Sequence, residues 1–175
     1  MDDKEIIINK LKSAPLIELE DFKCPEGGQA FYIKSFDGKK LRIALWNIKS
    51  DIGTIVLQSG RTEFIEKYYE VIEGFIQRGY CVAAMDWRGQ GLSERTSKNI
   101  RLGHIDSFEE YDKDLIKTLK LYQELCPKPW IGFGHSMGGC LMASNFVFLA
   151  SSQYFVLIDP IEFSISVYLL SLIHI

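Results

Sequence analysis

The chain has 175 residues, 47% hydrophobic and 25% charged, with a net charge of −3. That is enough for one domain with a real core, in ordinary globular proportions. The mild acidity and the lack of a basic run argue against a nucleic-acid partner, and no metal spacing or CxxC pair joins Cys24, Cys81, Cys126 and Cys140, so neither a metal nor another cofactor is expected.

Residues 1–28 read as a lead-in, with a short helix over Lys4 to Lys12 and a turn at Cys24-Pro25-Glu26-Gly27-Gly28. Gln29 to Phe36 and Leu41 to Ile48 have strand composition, and Asp37-Gly38 between them predicts an antiparallel hairpin. Leu41, Ile43 and Leu45 alternate with Arg42, as in a hairpin at a sheet edge. Thr54 to Leu57 is a short apolar strand, followed by a helix over Glu66 to Arg78 with Tyr69, Ile72 and Ile76 on one face. Gly79 stops that helix and Tyr80 to Met85 is the next strand. Asp106 to Leu125 reads as a long helix, capped by Asp106 and striped by Tyr111, Leu115, Leu119 and Tyr122. Trp130 to Phe133 and Tyr154 to Ile158 are further strands, with an apolar helix from Met137 to Leu149 between them. A hairpin followed by strand–helix repeats predicts an α/β class with a mainly parallel sheet over 29–162. Cys81 and Cys140 read as buried free thiols, which suit a reducing compartment. With no signal-peptide pattern after Met1 and no apolar run long enough to span a bilayer, a cytoplasmic protein is expected, at most peripheral to the inner membrane.

The informative stretch is Gly134-His135-Ser136-Met137-Gly138, between a predicted buried strand and a predicted helix. A sharp strand-to-helix turn lifts such a serine above the sheet, and Gly134 and Gly138 leave room for the crossing. Ser136 is therefore the candidate nucleophile. Its oxyanion would need donors: the Met137 backbone N–H and one from the Gly60-Arg61-Thr62 loop. A base is harder to find. His135 points away from an adjacent serine, His104 sits in a loop, and His174 is next to last. Asp159 ends a strand before Pro160 and reads as a turn former. Asp86-Trp87-Arg88-Gly89-Gln90-Gly91 ends another strand; Gly89 and Gly91 allow a tight loop whose N–H groups Asp86 can accept.

Three motifs in order, Gln58 to Tyr68, Asp86 to Gly91 and Gly134 to Gly139, make residues 28–160 resemble the α/β-hydrolase superfamily, in its bacterial lysophospholipase and monoacylglycerol lipase branch with a serine-aminopeptidase-like domain. The resemblance implies the N-terminal part of that fold. It implies hydrolysis of a small lipid ester through an acyl-serine, with the oxyanion hole at Arg61 and Met137. Membrane-surface contact would come through a cap beyond this chain. Ser59-Gly60 stands where monoacylglycerol lipases carry His-Gly, which leaves the head group open. The triad acid and histidine would follow residue 175, so these residues alone are expected to be inactive and poorly soluble. A non-catalytic binding protein and an aminopeptidase for small hydrophobic residues stand as alternatives.

Leu170-Ser171-Leu172-Ile173-His174-Ile175 matches in frame the translation of a transposon end used in preparing sequencing libraries. A chance match of six residues is on the order of one in a million or less. The last six residues are thus expected to be foreign to the protein, 163–169 have no assigned element, and the natural reading frame is expected to continue.

Overall fold

Along β5 (Cys81–Met85) successive side chains face opposite ways, and both faces are buried. Cys81, Ala83 and Met85 join Tyr111, Leu115, Leu119 and Tyr122 in one core, while Val82 and Ala84 join Ile65, Tyr69 and Ile72 in another. A strand apolar on both sides must lie inside a sheet covered on both sides. The computed structural model, which describes residues 3–99, 101–145, 154–158 and 165–166 (the last two segments by backbone alone), has that architecture.

The sheet comprises β1 (Lys12–Ala14), β2 (Gln29–Lys34), β3 (Lys40–Trp46), β4 (Thr54–Gln58), β5, β6 (Trp130–His135), β7 (Tyr154–Ile158) and β8 (Ile165–Ser166). Their spatial order is β1-β2-β3-β5-β4-β6-β7-β8. The pairs among β5, β4, β6 and β7 are parallel, and those at either end are antiparallel. The helices are α1 (Asp3–Ile8), α2 (Tyr69–Gln77, entered through a 3-10 turn over Ile65–Tyr68), α3 (Glu109–Leu125) and α4 (Met137–Ser144). Helix α2 covers one face of the sheet; α3 and α4 cover the other. Gly79, at φ +87°, ends the α2 segment and turns the chain into β5. The Tyr122 hydroxyl, fully buried, donates to Ala84 O at 2.7 Å and ties α3 to β5. No helix among the described residues is long and apolar enough to cross a membrane.

Several expectations need correction. The first helix stops at Ile8, and Lys12–Ala14 leaves it to form β1 along β2. The β2–β3 hairpin is therefore not the sheet edge, and β3 is buried along nearly its whole length. Arg42, whose alternation suggested an outward-facing position, is wholly buried because α2 and its entry turn lie over that face. The long helix starts at Glu109, not Asp106. Asp106 bonds His104 Nε2 at 3.1 Å, while Ser107 Oγ accepts the Glu109 N–H. Cys81 is buried but Cys140 is exposed, on the side of α4 turned away from the sheet. The sequence assigned no element to 163–169, yet β8 falls there; the end of the apolar helix from Met137 to Leu149, Asp159 and the six C-terminal residues lie outside the described residues.

Candidate active site

Ser136 sits at φ +51°, ψ −119°, between the last residue of β6 and the first of α4. Positive φ is uncommon for a residue with a Cβ, so this backbone is held by its surroundings. The glycines on either side show how. A Cβ on Gly134 would come within 2.6 Å of Gly139 Cα, and one on Gly138 within 2.3 Å of Gln58 O. Helix and strand therefore touch backbone to backbone, and the start of α4 presses on the end of β4. Ser136 is exposed and its side chain does not cap α4. Among the described residues its hydroxyl has no hydrogen-bond partner.

The register between β4 and β6 pairs Gln58 with Gly134, so the loop leaving β4 lies beside the Ser136 turn. That loop is tied at three points. Trp87 Nε1 donates to Ser59 O at 2.8 Å, Gly60 N–H donates to Glu63 Oε2 at 2.7 Å, and Thr62 N–H donates to Gln90 Oε1. Between two engaged N–H groups stands Arg61, whose backbone N–H donates no hydrogen bond among the described residues. The Met137 N–H, at the first position of α4, likewise donates none. Both are backbone donors held by rigid elements, and a helix N-terminus adds positive potential at Met137.

Glu63 joins the two segments. Only 6% exposed, it accepts from Gly60 N–H, Lys67 Nζ and the Tyr68 hydroxyl, and its Oε2 lies 2.9 Å from His135 Nδ1. Burial pushes its pKa up, but the bonds from Lys67, Tyr68, His135 and Gly60 outweigh it and hold the carboxyl at about 2, against the usual 4.5. His135 is thus occupied by Glu63, and His104 pairs with Asp106 on the surface. A depressed folded-state pKa stabilises the fold fully above about pH 4.5 and loses that contribution as the pH falls through about 2. Glu63→Gln is expected to lower stability at neutral pH by on the order of 2–3 kcal/mol. Its stability should also be flatter than that of the parent between pH 4.5 and pH 2, as urea melts at a series of pH values would show. A parallel loss at every pH would show that the charge of Glu63 is not what ties the loop.

Asp86 follows β5 and is wholly buried. Its carboxylate accepts Arg42 Nε at 2.7 Å, Leu92 N–H at 2.8 Å and Ile65 N–H at 2.9 Å. Gly91, at φ +47°, lies so close that a Cβ there would fall 2.1 Å from Asp86 Oδ2; Gly89, at φ +77°, packs against Gly103. Arg42 also forks onto Glu66 with bonds of 2.6 and 2.7 Å. Arg88, equally buried, meets Asp114 at 2.6 and 2.8 Å, Glu110 at 2.9 Å and Asp37 at 3.1 Å. These two arginines lock the loop after β5 to β3, to the turn before α2 and to α3. Sequence reasoning missed both networks and the role of Glu63. One signal was available: Asp114 interrupts the apolar stripe of α3 between Tyr111 and Leu115.

A mixed sheet with helices on both faces and a serine at such a turn define the class: the chain has the α/β-hydrolase fold. It belongs to the family described as serine aminopeptidase, S33, whose model matches residues 49–160. It is 37% identical over 90 residues to lysophospholipase L2 of Escherichia coli, a match covering 50% of this chain and 26% of that protein. It is 31% identical over 103 residues to a monoacylglycerol lipase of Mycolicibacterium smegmatis, covering 58% and 35%. The chain thus spans about a quarter to a third of the length of these two relatives. Among solved structures, a thermostable carboxyl esterase from Bacillus coagulans superimposes with a TM-score of 0.62 at 25% identity, over 75% of this chain and 44% of that one.

Proposed function

We propose that Ser136 is the nucleophile of a carboxylic-ester hydrolase acting on lysophospholipids or monoacylglycerols. The observation that carries this reading is the exposed serine at φ +51°, beside two backbone N–H groups with no partner among the described residues. Ser136 Oγ attacks the ester carbonyl carbon, the carbonyl oxygen takes up the electron pair, and the N–H groups of Arg61 and Met137 receive that charge. Collapse expels the glycerol-side alcohol and leaves an acyl-serine, which water then hydrolyses. Among the described residues no histidine bonds the Ser136 hydroxyl, as His135 turns its Nδ1 to Glu63 and His104 pairs with Asp106 on the surface, so this reading assigns the histidine that takes the serine proton, and the acid that orients it, to residues outside the described ones. The lipase and lysophospholipase names of the relatives support the ester substrate. The four free thiols suit a reducing compartment, which favours a cytoplasmic location.

The family's description as a serine aminopeptidase favours a second reading, removal of amino-terminal residues. Both share the acyl-serine, so the leaving group separates them. The intact protein is expected to turn over p-nitrophenyl acyl esters and to leave aminoacyl anilides nearly untouched. Anilide turnover above ester turnover would decide for the peptidase.

A further inference from the structure

In a trans peptide unit the C=O and the N–H point in opposite directions, so a bond that fixes one fixes the other. The peptide bonds of the loop after β4 are trans. That loop lies between the loop after β5 and the end of β6, because β4 stands between those two strands. In the unit joining Ser59 to Gly60, the carbonyl accepts Trp87 Nε1, from the loop after β5, at 2.8 Å. Its N–H points the other way, to Glu63 Oε2, which lies 2.9 Å from His135 Nδ1 at the end of β6. The next unit, Gly60 to Arg61, repeats the arrangement. Gly60 O accepts Gln90 Nε2 at 3.4 Å, again from the loop after β5. The Arg61 N–H is thereby aimed at the opposite side, where His135 and Ser136 stand.

Gln90 holds the far side of Arg61 as well, since its Oε1 accepts the Thr62 N–H. One amide thus spans the two peptide units around Arg61. A fork with a donor on one prong and an acceptor on the other is what Gln and Asn alone offer among side chains. The partners fix which prong is which, because a flipped amide would set its oxygen against Gly60 O and its NH2 against the Thr62 N–H. The fork is itself held. Gln90 is 6% exposed, its N–H donates to Trp87 O at 3.0 Å and its O accepts the Ser93 N–H at 3.1 Å. Gly89 and Gly91, both at positive φ, let the loop turn tightly on either side of it. We infer that Gln90 is a positioning residue for the hydrolysis proposed above, on which its role rests: acting through the backbone, it turns the Arg61 N–H toward the oxyanion that forms at Ser136.

The test is steady-state turnover of a p-nitrophenyl acyl ester by the intact protein and by two variants. Gln90→Leu removes both prongs. Gln90→Glu keeps the acceptor for the Thr62 N–H and sets a carboxylate oxygen, without a proton, against Gly60 O. Oxyanion bonds strengthen in the transition state, so kcat is expected to fall at least about tenfold in each variant, with KM within about twofold of the parent. Losing an oxyanion donor altogether costs about 10²–10³ in kcat, which sets the upper bound. An alkyl trifluoromethyl ketone supplies a second readout. Ser136 Oγ adds to its carbonyl carbon, the serine proton passes to the base as with the ester, and the carbonyl oxygen becomes the oxyanion. Its affinity should fall by the same factor as kcat, a proportion that a generally loosened fold would not keep. Parent-like kcat in the variants would overturn the inference, as would a change confined to KM or an unchanged affinity for the ketone. If Gln90→Leu does not fold, Gln90→Glu decides by the same criteria. A parent protein with no turnover and an unreactive Ser136 would remove the hydrolase reading and this inference together. An active parent matched by its variants would remove this inference alone.

Discussion

Asp86→Ala is expected to destabilise the protein by about 3–5 kcal/mol, the usual cost of stranding one member of a buried ion pair. Three groups lose their acceptor together: the Arg42 guanidinium Nε, the Leu92 N–H and the Ile65 N–H. Arg42 is wholly buried, so water cannot replace the carboxylate. The bonds from Arg42 to Glu66 keep part of its charge balanced, which limits the loss. Denaturant unfolding of the intact protein measures the effect. A cost below about 1 kcal/mol for Asp86→Ala would mean that the Arg42 network does not hold the loop after β5.

What the sequence made legible, and what it hid, follows from the range of each interaction. The turn at Ser136 is written in five consecutive residues, because its glycines must stand two positions either side of the serine whatever surrounds them. The strands and helices that position it are equally local: β5 reads as a short apolar run, and α3 as Tyr111, Leu115, Leu119 and Tyr122 on one stripe. Arg42 was misread because a lone arginine among alternating apolar residues looks the same whether its face meets solvent or a helix. Only the placement of α2 over that face decides, and its partners Glu66 and Asp86 lie 24 and 44 residues away. Glu63 was missed for the same reason, since His135 is 72 residues distant. The strand β1 was hidden by its three-residue length. It is defined by pairing with β2, and nothing in Lys12-Ser13-Ala14 announces it. Asp106 failed as a cap because the helix begins at Glu109 with Phe108 at the N-cap position, which leaves Asp106 two residues too early to cap it.

The account turns on Ser136, and its nucleophilicity can be read chemically without knowing the natural substrate. A fluorophosphonate forms a covalent phosphonyl ester with an activated serine and expels fluoride. The intact protein treated with such a probe, digested and analysed by mass spectrometry, is expected to carry one adduct, on the peptide containing Ser136. Ser136→Ala should lose the adduct, and with it at least about three orders of magnitude of ester turnover. An adduct on another serine, or labelling and turnover unchanged in Ser136→Ala, would contradict it.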